Sequence, residues 1–344
     1  MKVGYVALVG RPNVGKSTLL NALLGQKVAI ISDKPQTTRI SILGIKTTAA
    51  GQIIFIDNPG IHKPLHTLNR RMMHFVHSAL ETADVLCLLI DATEKYGHGD
   101  EFVIETLRKI TRPLFLLINK VDIVRKDTIL PIIDKYKDLL PFKEIIPISA
   151  LKGTNLDVLE RRIYDFLPEA EKLYDDGTIT DQTLRFQLAE IIREKLLQRV
   201  EKELPFVTAV LVERMEERGR DKEAACPSEV AEDAGKPGKF APDSESTSLP
   251  PNGVAPPVLK MGTEKTKRQT LKVTYISATI FVERDNHRII VIGRGGQVIK
   301  AIGIDARREI EQVLGSRVFL DLKVKVKEKW RDSPEVLDLI EGQR

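Results

Sequence analysis

The sequence predicts an α/β domain, in which helices cover both faces of a mostly parallel sheet, followed by a smaller α+β domain. Three observations favour this fold class. Short apolar runs alternate with helical stretches in the first half of the chain, a glycine-rich stretch follows the first apolar run, and the excess of positive charge is confined to the C-terminal part. A length of 344 residues also fits two domains better than one.

The first domain is expected to span residues 1–170, a linker 171–183, the second domain 184–331 and a C-terminal tail 332–344. Within the second domain, residues 216–268 hold seven of the chain's 18 prolines and few aromatic residues. Such a composition buries too little apolar surface to offset the entropy of ordering, so we predict a disordered insertion between two strands. Because loop length costs little entropy, the insertion need not prevent folding. Whether its lysines add contacts to a partner stays open.

Composition and charge limit the classes of protein to consider. No apolar stretch reaches the roughly 18 residues that a membrane span requires, and the N-terminal apolar run has no signal-peptide cleavage site. Cys87 and Cys226 are the only cysteines, which excludes a disulfide framework and favours a reducing, cytoplasmic setting. Residues 258–344 carry 18 Lys and Arg against 12 Asp and Glu, while the rest of the chain is nearly neutral. This asymmetry predicts an anionic polymer or a membrane surface as partner of the C-terminal part.

Hydrophobic patterning predicts the elements of the first domain in order. The strands are expected at residues 3–9, 40–46, 52–56, 85–91, 113–118 and 144–148. The helices are expected at residues 16–25, 68–82, 99–110, 127–140 and 155–167. Ligands of such sheets bind at the carboxyl ends of the strands.

The stretch GRPNVGKST, residues 10–18, follows the first strand and opens the first helix. It matches G-x-x-x-x-G-K-[ST] with Gly10, Gly15, Lys16 and Ser17. Glycines permit the tight turn, and the loop's N–H groups then point at an anion. We expect Lys16 to contact the outer phosphates of a nucleotide and Ser17 to bind Mg²⁺.

Three further motifs follow predicted strands. DNPG, residues 57–60, places a carboxylate that can act on Mg²⁺ next to a glycine whose N–H can contact a terminal phosphate. NKVD, residues 119–122, places Asp122 where it can accept hydrogen bonds from the ring N–H and the amine of guanine. Adenine would leave this carboxylate facing a lone pair, and such mismatches discriminate by about 10⁴ or more. Ser149 and the backbone N–H of Ala150 can complete the base pocket.

In this order, the motifs resemble those of the P-loop GTPases. The resemblance implies an α/β P-loop GTPase domain with a guanine-nucleotide site, and a threonine of QTTR, residues 36–39, that binds Mg²⁺ in the GTP state. Thr38 fits the family pattern better than Thr37, although the sequence leaves both open. The implied nucleotide-binding residues are Gly10, Arg11, Pro12, Asn13, Val14, Gly15, Lys16, Ser17, Thr18, Asp57, Asn58, Pro59, Gly60, Asn119, Lys120, Asp122, Ser149 and Ala150. The implied Mg²⁺ ligands are Ser17, Thr38 and Asp57, and the implied catalytic residues are Asn13, Lys16, Thr38 and Gly60.

The sequence departs from many GTPases directly after Gly60, where Ile61 replaces a glutamine that orients water. The resemblance therefore narrows to a subclass with a hydrophobic residue at this position. Asn13 matches the feature that this subclass associates with K⁺, so we expect slow intrinsic hydrolysis that K⁺ stimulates. Two histidine pairs, His62 with His66 and His74 with His77, receive no function. The second pair has the spacing of one helix face, but no carboxylate or cysteine completes a metal set within that helix.

The second domain begins with a predicted helix, 184–204, and strands at 206–212 and 271–283. Residues 293–296 read GRGG, and a helical pattern follows. A GxxG loop lets a nucleic-acid backbone approach closely, and the order of elements resembles a KH type II domain. Residues 289–292 read locally as strand where that family has a short helix. The last strand, LDLKVKVKEK, alternates apolar residues with mostly lysine.

The expected RNA-binding residues are Gly293, Arg294, Gly295, Gly296, Lys300, Arg307, Lys323, Lys325 and Lys327. With ITDQTLRFQLAEIIREKLL, residues 179–197, and VKVKEKW, residues 324–330, the combined motifs resemble the Era family of bacterial ribosome-assembly GTPases. The resemblance implies GTP/GDP, Mg²⁺ and K⁺ as ligands and nucleotide-gated binding near the 3′ end of 16S ribosomal RNA. It also implies a role in small ribosomal subunit assembly, and a cytoplasmic location with some peripheral contact at the cell membrane.

Two rival functions remain at this point. A passive RNA-binding protein would use the nucleotide only structurally, and the complete set of GTPase motifs weighs against it. A membrane-associated switch would place the lysine stripe against anionic lipid, and GRGG weighs against that function.

Overall fold

The computed structural model describes residues 1–201, 203–218 and 273–344. In the first domain, six strands form one sheet in the order β2-β3-β1-β4-β5-β6, and only β2 runs antiparallel to its neighbour. The strands are β1 (Lys2–Gly10), β2 (Ile42–Thr47), β3 (Gly51–Asp57), β4 (Val85–Asp91), β5 (Leu114–Asn119) and β6 (Glu144–Pro147).

Helices cover both faces of this sheet, as the sequence predicts. They are α1 (Lys16–Leu24), α2 (Thr67–Thr82), α3 (His98–Leu107), α4 (Ile129–Tyr136) and α5 (Leu156–Phe166). Leucines of α1 and Ile163 of α5 pack into one core, while Val76 of α2, Val103 of α3 and Tyr136 of α4 pack into the other. The strands β3, β4 and β5 are buried on both faces and therefore read as nearly continuous apolar runs.

The strand register brings the predicted motifs to one edge of the sheet. Leu8 of β1 pairs with Asp57 of β3, and Asp91 of β4 pairs with Asn119 of β5. Because these strands are parallel, their carboxyl ends open on the same side, where the glycine-rich loop follows β1.

The second domain has the order helix, strand, strand, helix, helix, strand. Its elements are α6 (Leu184–Leu197), β7 (Ala209–Arg218), β8 (Val273–Val282), α7 (Asp285–Ile292), α8 (Gln297–Leu314) and β9 (Arg317–Val326). In the sheet β7-β8-β9, the central β8 is antiparallel to β7 and parallel to β9. The helices α6, α7 and α8 share one core with this sheet.

The structure corrects several boundaries. Residues 289–292 are helical, so the local strand interpretation is wrong: the β-branched run favours a strand, but helical geometry buries Val291 and leaves Ile289 and Ile290 exposed. α6 ends at Leu197 rather than at residue 204. A short 3₁₀ turn occupies Leu204–Phe206, so β7 begins at Ala209 rather than at residue 206. α4 is likewise shorter than predicted.

The predicted insertion at 216–268 falls mainly outside the described residues. Its first three residues continue β7, because Arg218 still pairs with Val273 of β8. The prediction for residues 219–268 lies outside the described residues.

The C-terminal segment joins the two domains. Residues 332–344, predicted only as a tail, contain α9 (Pro334–Glu341). The preceding Trp330 is fully buried, donates its indole N–H to the Val207 carbonyl at 2.8 Å, and shares a core with Met72 of α2. Arg71 of α2 donates to Asp338 of α9 at 2.7 Å. Among the described residues, no helix has the length and apolarity to cross a bilayer.

Candidate functional site

The glycine-rich loop between β1 and α1 requires glycine at two positions. Gly10 has φ 145° and Gly15 has φ 100°. A Cβ at Gly10 would lie 2.4 Å from the Leu89 carbonyl oxygen, and one at Gly15 would lie 2.3 Å from Nδ2 of Asn119. The loop opens on a cleft of about 520 Å³ lined by Pro12, Asn13, Gly15, Lys16, Ser17, Thr18, Ile30, Ile31, Ser32, Asp33, Gln36, Thr37, Thr38, Gly60, Asp91, Thr93, Glu94 and Lys120.

Lys16 is a buried cation in this cleft. Its ammonium donates to the carbonyls of Gly10 at 3.2 Å and Arg11 at 2.7 Å. Burial lowers the pKa of Lys16 to about 8, and Asp57 partly opposes this effect. A phosphate beside Lys16 would favour its charged form.

The structure brings the three predicted Mg²⁺ ligands together. Ser17 Oγ donates to Asp57 Oδ2 at 2.6 Å and lies 2.9 Å from Thr38 Oγ1. Burial raises the pKa of Asp57 to about 6, against the hydrogen bond from Ser17 and the charge of Lys16. The other oxygen, Asp57 Oδ1, is buried without a hydrogen-bond partner in the described part of the chain. These oxygen donors and the unpaired carboxylate atom fit Mg²⁺, which prefers oxygen ligands.

Thr37 points elsewhere. Its hydroxyl donates to the Lys34 carbonyl at 2.6 Å. The geometry therefore favours Thr38 over Thr37 as the threonine at the metal site.

Gly60 closes the cleft opposite the glycine-rich loop. A Cβ there would lie 2.6 Å from the backbone nitrogen of Pro12, so a larger residue would separate the two loops. The next residue, Ile61, is only 2% exposed and packs into the core, and its N–H donates to Gly10 O at 3.0 Å.

Some predicted nucleotide-binding residues have side chains that contact protein instead. Asn58 is fully buried and accepts a hydrogen bond from Ser41 at 2.7 Å. Arg11 donates to Asp100 at 3.0 Å and pairs at 2.9 Å with Glu94, which lines the cleft. Val14 and Pro59 are buried. The side chains of these residues are buried or paired with other protein groups, and they shape the loops.

A second cavity of about 180 Å³ continues the cleft at the ends of β5 and β6. It is lined by Gly15, Thr18, Asn119, Lys120, Asp122, Ile123, Ala150 and Leu151. Asn119 donates to the Val14 carbonyl at 2.8 Å and accepts from the Ala150 N–H at 2.9 Å, so it connects two loops. Ser149 donates to Asp122 Oδ1 at 2.7 Å and thereby orients this carboxylate.

Sequence reasoning missed Asp91, which ends β4. Asp91 accepts a hydrogen bond from Lys120 at 2.5 Å and two from Thr93, at 2.6 and 2.9 Å. It therefore fixes the lysine that lines both cavities. Its position at a strand end, shared with the recognised motifs, was the available signal.

The GRGG loop connects α7 to α8. Gly293, Gly295 and Gly296 all have positive φ, from 58° to 76°. A groove of about 320 Å³ lies between α8 and β9 and is lined by Ile299, Lys300, Gly303, Ile304, Arg307, Phe319, Leu320 and Leu322. Lys300 and Arg307, both in the helix that begins after GRGG, therefore lie on this groove.

The predicted lysine stripe lies elsewhere. Leu320 and Leu322 pack toward the helices, and the alternation of β9 places Lys323 and Lys325 on the opposite face. Lys325 pairs with Glu213 at 3.1 Å, and Lys323 pairs with Asp321 at 3.4 Å. Lys327 follows β9 and is exposed. The predicted RNA-binding residues thus divide between two surfaces.

The loop between α1 and β2, which carries Thr38, contacts the second domain directly. Arg39 donates to the Thr208 carbonyl at 2.7 Å and the Pro205 carbonyl at 2.9 Å. Arg193 of α6 donates to the Thr37 carbonyl, and Glu194 accepts from the Ile31 N–H at 3.0 Å. No local sequence pattern predicts these contacts.

Comparisons with known proteins identify the family. A model of the 50S ribosome-binding GTPase family matches residues 5–120, and a KH domain model matches residues 260–331. A crystal structure of Era in complex with MgGDPNP and nucleotides 1506–1542 of 16S ribosomal RNA is 39% identical in sequence, with a TM-score of 0.80. The match covers 99% of this chain and 98% of that one. The chain belongs to the Era family of GTPases.

A second Era structure, a variant from Aquifex aeolicus bound to GDP·AlF₄⁻, also has 39% identity and a TM-score of 0.80. It matches over 99% of each chain. The fold predicted from the sequence, an α/β P-loop GTPase domain followed by an α+β KH domain, is confirmed for this Era-family chain.

Proposed function

We propose that this protein binds GTP with Mg²⁺, hydrolyses it slowly to GDP and phosphate, and binds 16S ribosomal RNA near its 3′ end to assist small ribosomal subunit assembly. The nucleotide state controls RNA binding. The observation that carries this proposal is the set of hydrogen bonds between the KH domain and the loop of Thr38, because that loop would sense the terminal phosphate and Mg²⁺. The relatives with bound nucleotide and RNA support the choice of ligands.

Each group of the cleft has a proposed role. Lys16 and the N–H groups of the glycine-rich loop hold the phosphates. Ser17, Thr38 and Asp57 hold Mg²⁺, which would neutralise charge that develops in phosphoryl transfer. The Gly60 N–H meets the terminal phosphate.

The base occupies the smaller cavity. Asp122 accepts from guanine, while Asn119, Ser149 and Ala150 hold the surrounding loops in place. Lys120, held by Asp91, covers the base with its side chain.

K⁺ stimulation is part of the same proposal. Asn13 lines the cleft and has φ 65°, and its amide nitrogen donates to the Asp33 carbonyl at 2.8 Å. Its amide oxygen, Oδ1, would then coordinate a monovalent cation beside the phosphates. We expect faster hydrolysis in K⁺ than in Na⁺, and indifference to K⁺ would contradict this role.

In the KH domain, the GRGG loop and the groove bearing Lys300 and Arg307 form the proposed RNA site. Glycine allows close approach of the RNA backbone, and the two cations contact phosphates. Lys323, Lys325 and Lys327 would add a second contact on the other face of the sheet.

Hydrolysis assays test the nucleotide part of the proposal. GTP and ATP turnover are compared in K⁺ and Na⁺, with and without an RNA from the 3′ end of 16S ribosomal RNA. We expect turnover of GTP alone, stimulated by K⁺ and by RNA. Equal turnover of ATP and GTP would contradict the guanine pocket. A rate of GTP hydrolysis that the RNA leaves unchanged would contradict coupling between RNA binding and hydrolysis.

We further propose a cytoplasmic location with partial peripheral contact at the inner face of the cell membrane. The family resemblance and the exposed lysines of β9 support it. Co-sedimentation with anionic liposomes tests this contact, and selective binding to liposomes over ribosomal RNA would favour the membrane-switch alternative.

A further inference from the structure

Because Ile61 is apolar and buried, another residue must orient the attacking water. Hydrolysis of GTP requires a group that orients the attacking water. Many GTPases use a glutamine at the position of Ile61, but this isoleucine is 2% exposed and packs with the core under β1 and β3. The side chain of Ile61 has no hydrogen-bonding group and is buried, so it cannot orient the attacking water.

Gln36 provides an amide from the other side of the cleft. It lies two residues before Thr38 and lines the cleft together with Lys16, Ser17 and Gly60. Its φ of 60° is in the left-handed region, which glutamine adopts rarely. Such conformations persist where the surrounding structure holds them, often at functional sites.

His62 fixes the orientation of this amide. His62 Nδ1 lies 2.7 Å from the Gly60 carbonyl oxygen, which can only accept, so Nδ1 carries a proton. His62 Nε2 lies 3.3 Å from Gln36 Nε2, and in the neutral ring it accepts from that amide. The opposite amide orientation would place Gln36 Oε1 against a lone pair. The nitrogen is therefore occupied, and Oε1 is the atom available to accept a hydrogen bond from water.

We propose that Gln36, oriented by His62, holds the attacking water for GTP hydrolysis. The water oxygen bonds to the γ-phosphorus, the bond from that phosphorus to the β–γ bridging oxygen breaks, and a water proton passes to a γ-phosphate oxygen. The products are GDP and inorganic phosphate. Gln36 contacts the water and is catalytic, whereas His62 is a positioning residue.

The same contact joins the two loops that surround the terminal phosphate. Gln36 belongs to the loop of Thr38, and His62 follows Gly60. The catalytic amide is therefore in place only when both loops are closed. This inference rests on the proposed GTPase function.

The test compares Gln36→Ala with Gln26→Ala, an exposed glutamine near the start of the same loop. Three quantities are measured on the full-length protein: the single-turnover rate with GTP, the affinity for a non-hydrolysable GTP analogue, and formation of the GDP·AlF₄⁻ complex. We expect Gln36→Ala to lower the rate by about 10²-fold or more. It should also lose the GDP·AlF₄⁻ complex while retaining affinity for the analogue, and Gln26→Ala should change none of the three.

His62→Ala and the double variant test positioning. We expect His62→Ala to slow the single-turnover rate by about tenfold, with no further slowing in the Gln36→Ala background, because both act through one group. Additive effects of the two substitutions would assign His62 a separate structural role and contradict positioning.

Two results would overturn the catalytic role of Gln36. One is an unchanged single-turnover rate in Gln36→Ala. The other is a loss of analogue affinity as large as the loss of rate, since this would assign Gln36 to ground-state binding. A failure of the unsubstituted protein to bind or hydrolyse GTP would instead contradict the proposed function itself.

Discussion

We propose that single side chains determine which base the smaller cavity accepts. Ser149 orients Asp122 through a hydrogen bond. Lys120 lines both cavities, and its ammonium donates a hydrogen bond to Asp91. Asp122 is exposed in the structure, and a bound base would bury its carboxylate. A polar group that is buried in this way without a partner costs about 1–3 kcal/mol, and more when it is charged. Small changes at these positions should therefore alter specificity more than stability.

Asp122→Asn should change the preferred nucleotide. The substitution replaces an accepting oxygen by a donating amide, which opposes the exocyclic amine of guanine but matches the carbonyl of xanthine. We expect the affinity for GTP to fall by about 10²-fold or more while that for XTP rises. Competition binding measures the ratio, with the exposed Asp127→Asn as control. An unchanged ratio of GTP to XTP affinity would place the base elsewhere.

Asp91→Asn should weaken nucleotide binding indirectly. Lys120 would lose a charge-assisted hydrogen bond, which typically contributes about 1.5–3 kcal/mol. We expect about a tenfold loss of GTP affinity, measured by titration calorimetry. Asp134→Asn on the exposed surface of α4 is the matched control, and equal affinities in the two variants would remove Asp91 from the site.

At the scale of secondary-structure elements, the sequence predicts those features that a local residue pattern encodes, such as a strand followed by a ligand-binding loop. The glycine-rich loop, the motif at 57–60 and the motif at 119–122 each follow a long apolar strand, so pattern and turn chemistry agree. Residues 289–292 were ambiguous because a short β-branched run fits either a strand or a helix. The contact between Arg39 and Thr208 spans 169 residues, and no local pattern encodes such a partner.

Arg39→Lys should weaken the coupling between the domains. Arg39 reaches two carbonyls of the KH domain with separate nitrogens and lies 5.6 Å from the Trp330 ring centroid. Lysine lacks this planar fork of donors. We define coupling as the ratio of RNA affinities in the GTP-analogue and GDP states, and we expect it to fall about tenfold.

Lys27→Ala is the comparison for that experiment. Lys27 also connects the domains, through Glu194 and Glu309, but its side chain is 40% exposed. Glu194 is only 4% exposed, but both glutamates also pair with Lys195. Loss of Lys27 therefore leaves neither carboxylate unpaired, and we expect less than about a threefold change in coupling. Equal ratios in Arg39→Lys and the unsubstituted protein would show that the nucleotide state reaches the RNA by another route.

At the scale of the whole molecule, α6, the segment around Trp330 and α9 join the KH domain to the GTPase domain. These contacts involve residues far apart in sequence, and the helix α9 was not predicted. The order of domains and their fold class were predictable, because each domain carries its own motifs. Their mutual arrangement depends on tertiary contacts that composition does not reveal.

Replacing residues 219–272 by an Asn-Gly turn should leave both domains folded. Arg218 and Val273 are direct partners in an antiparallel pair, and a two-residue turn closes such a hairpin. We expect the rate of GTP hydrolysis to be unchanged and the melting temperature to shift by only a few degrees. Thermal unfolding and hydrolysis assays measure both. Loss of cooperative unfolding would contradict the expectation, and reduced RNA affinity in a folded variant would assign RNA contacts to the replaced segment.

The central claim is that the cleft holds GTP as a switch on RNA binding. Its most direct test is the affinity for a short RNA from the 3′ end of 16S ribosomal RNA, measured with a non-hydrolysable GTP analogue and then with GDP at one fixed salt concentration. We predict at least about fivefold tighter binding with the analogue. Equal affinity in the two states would contradict the claim and leave two uncoupled modules on one chain.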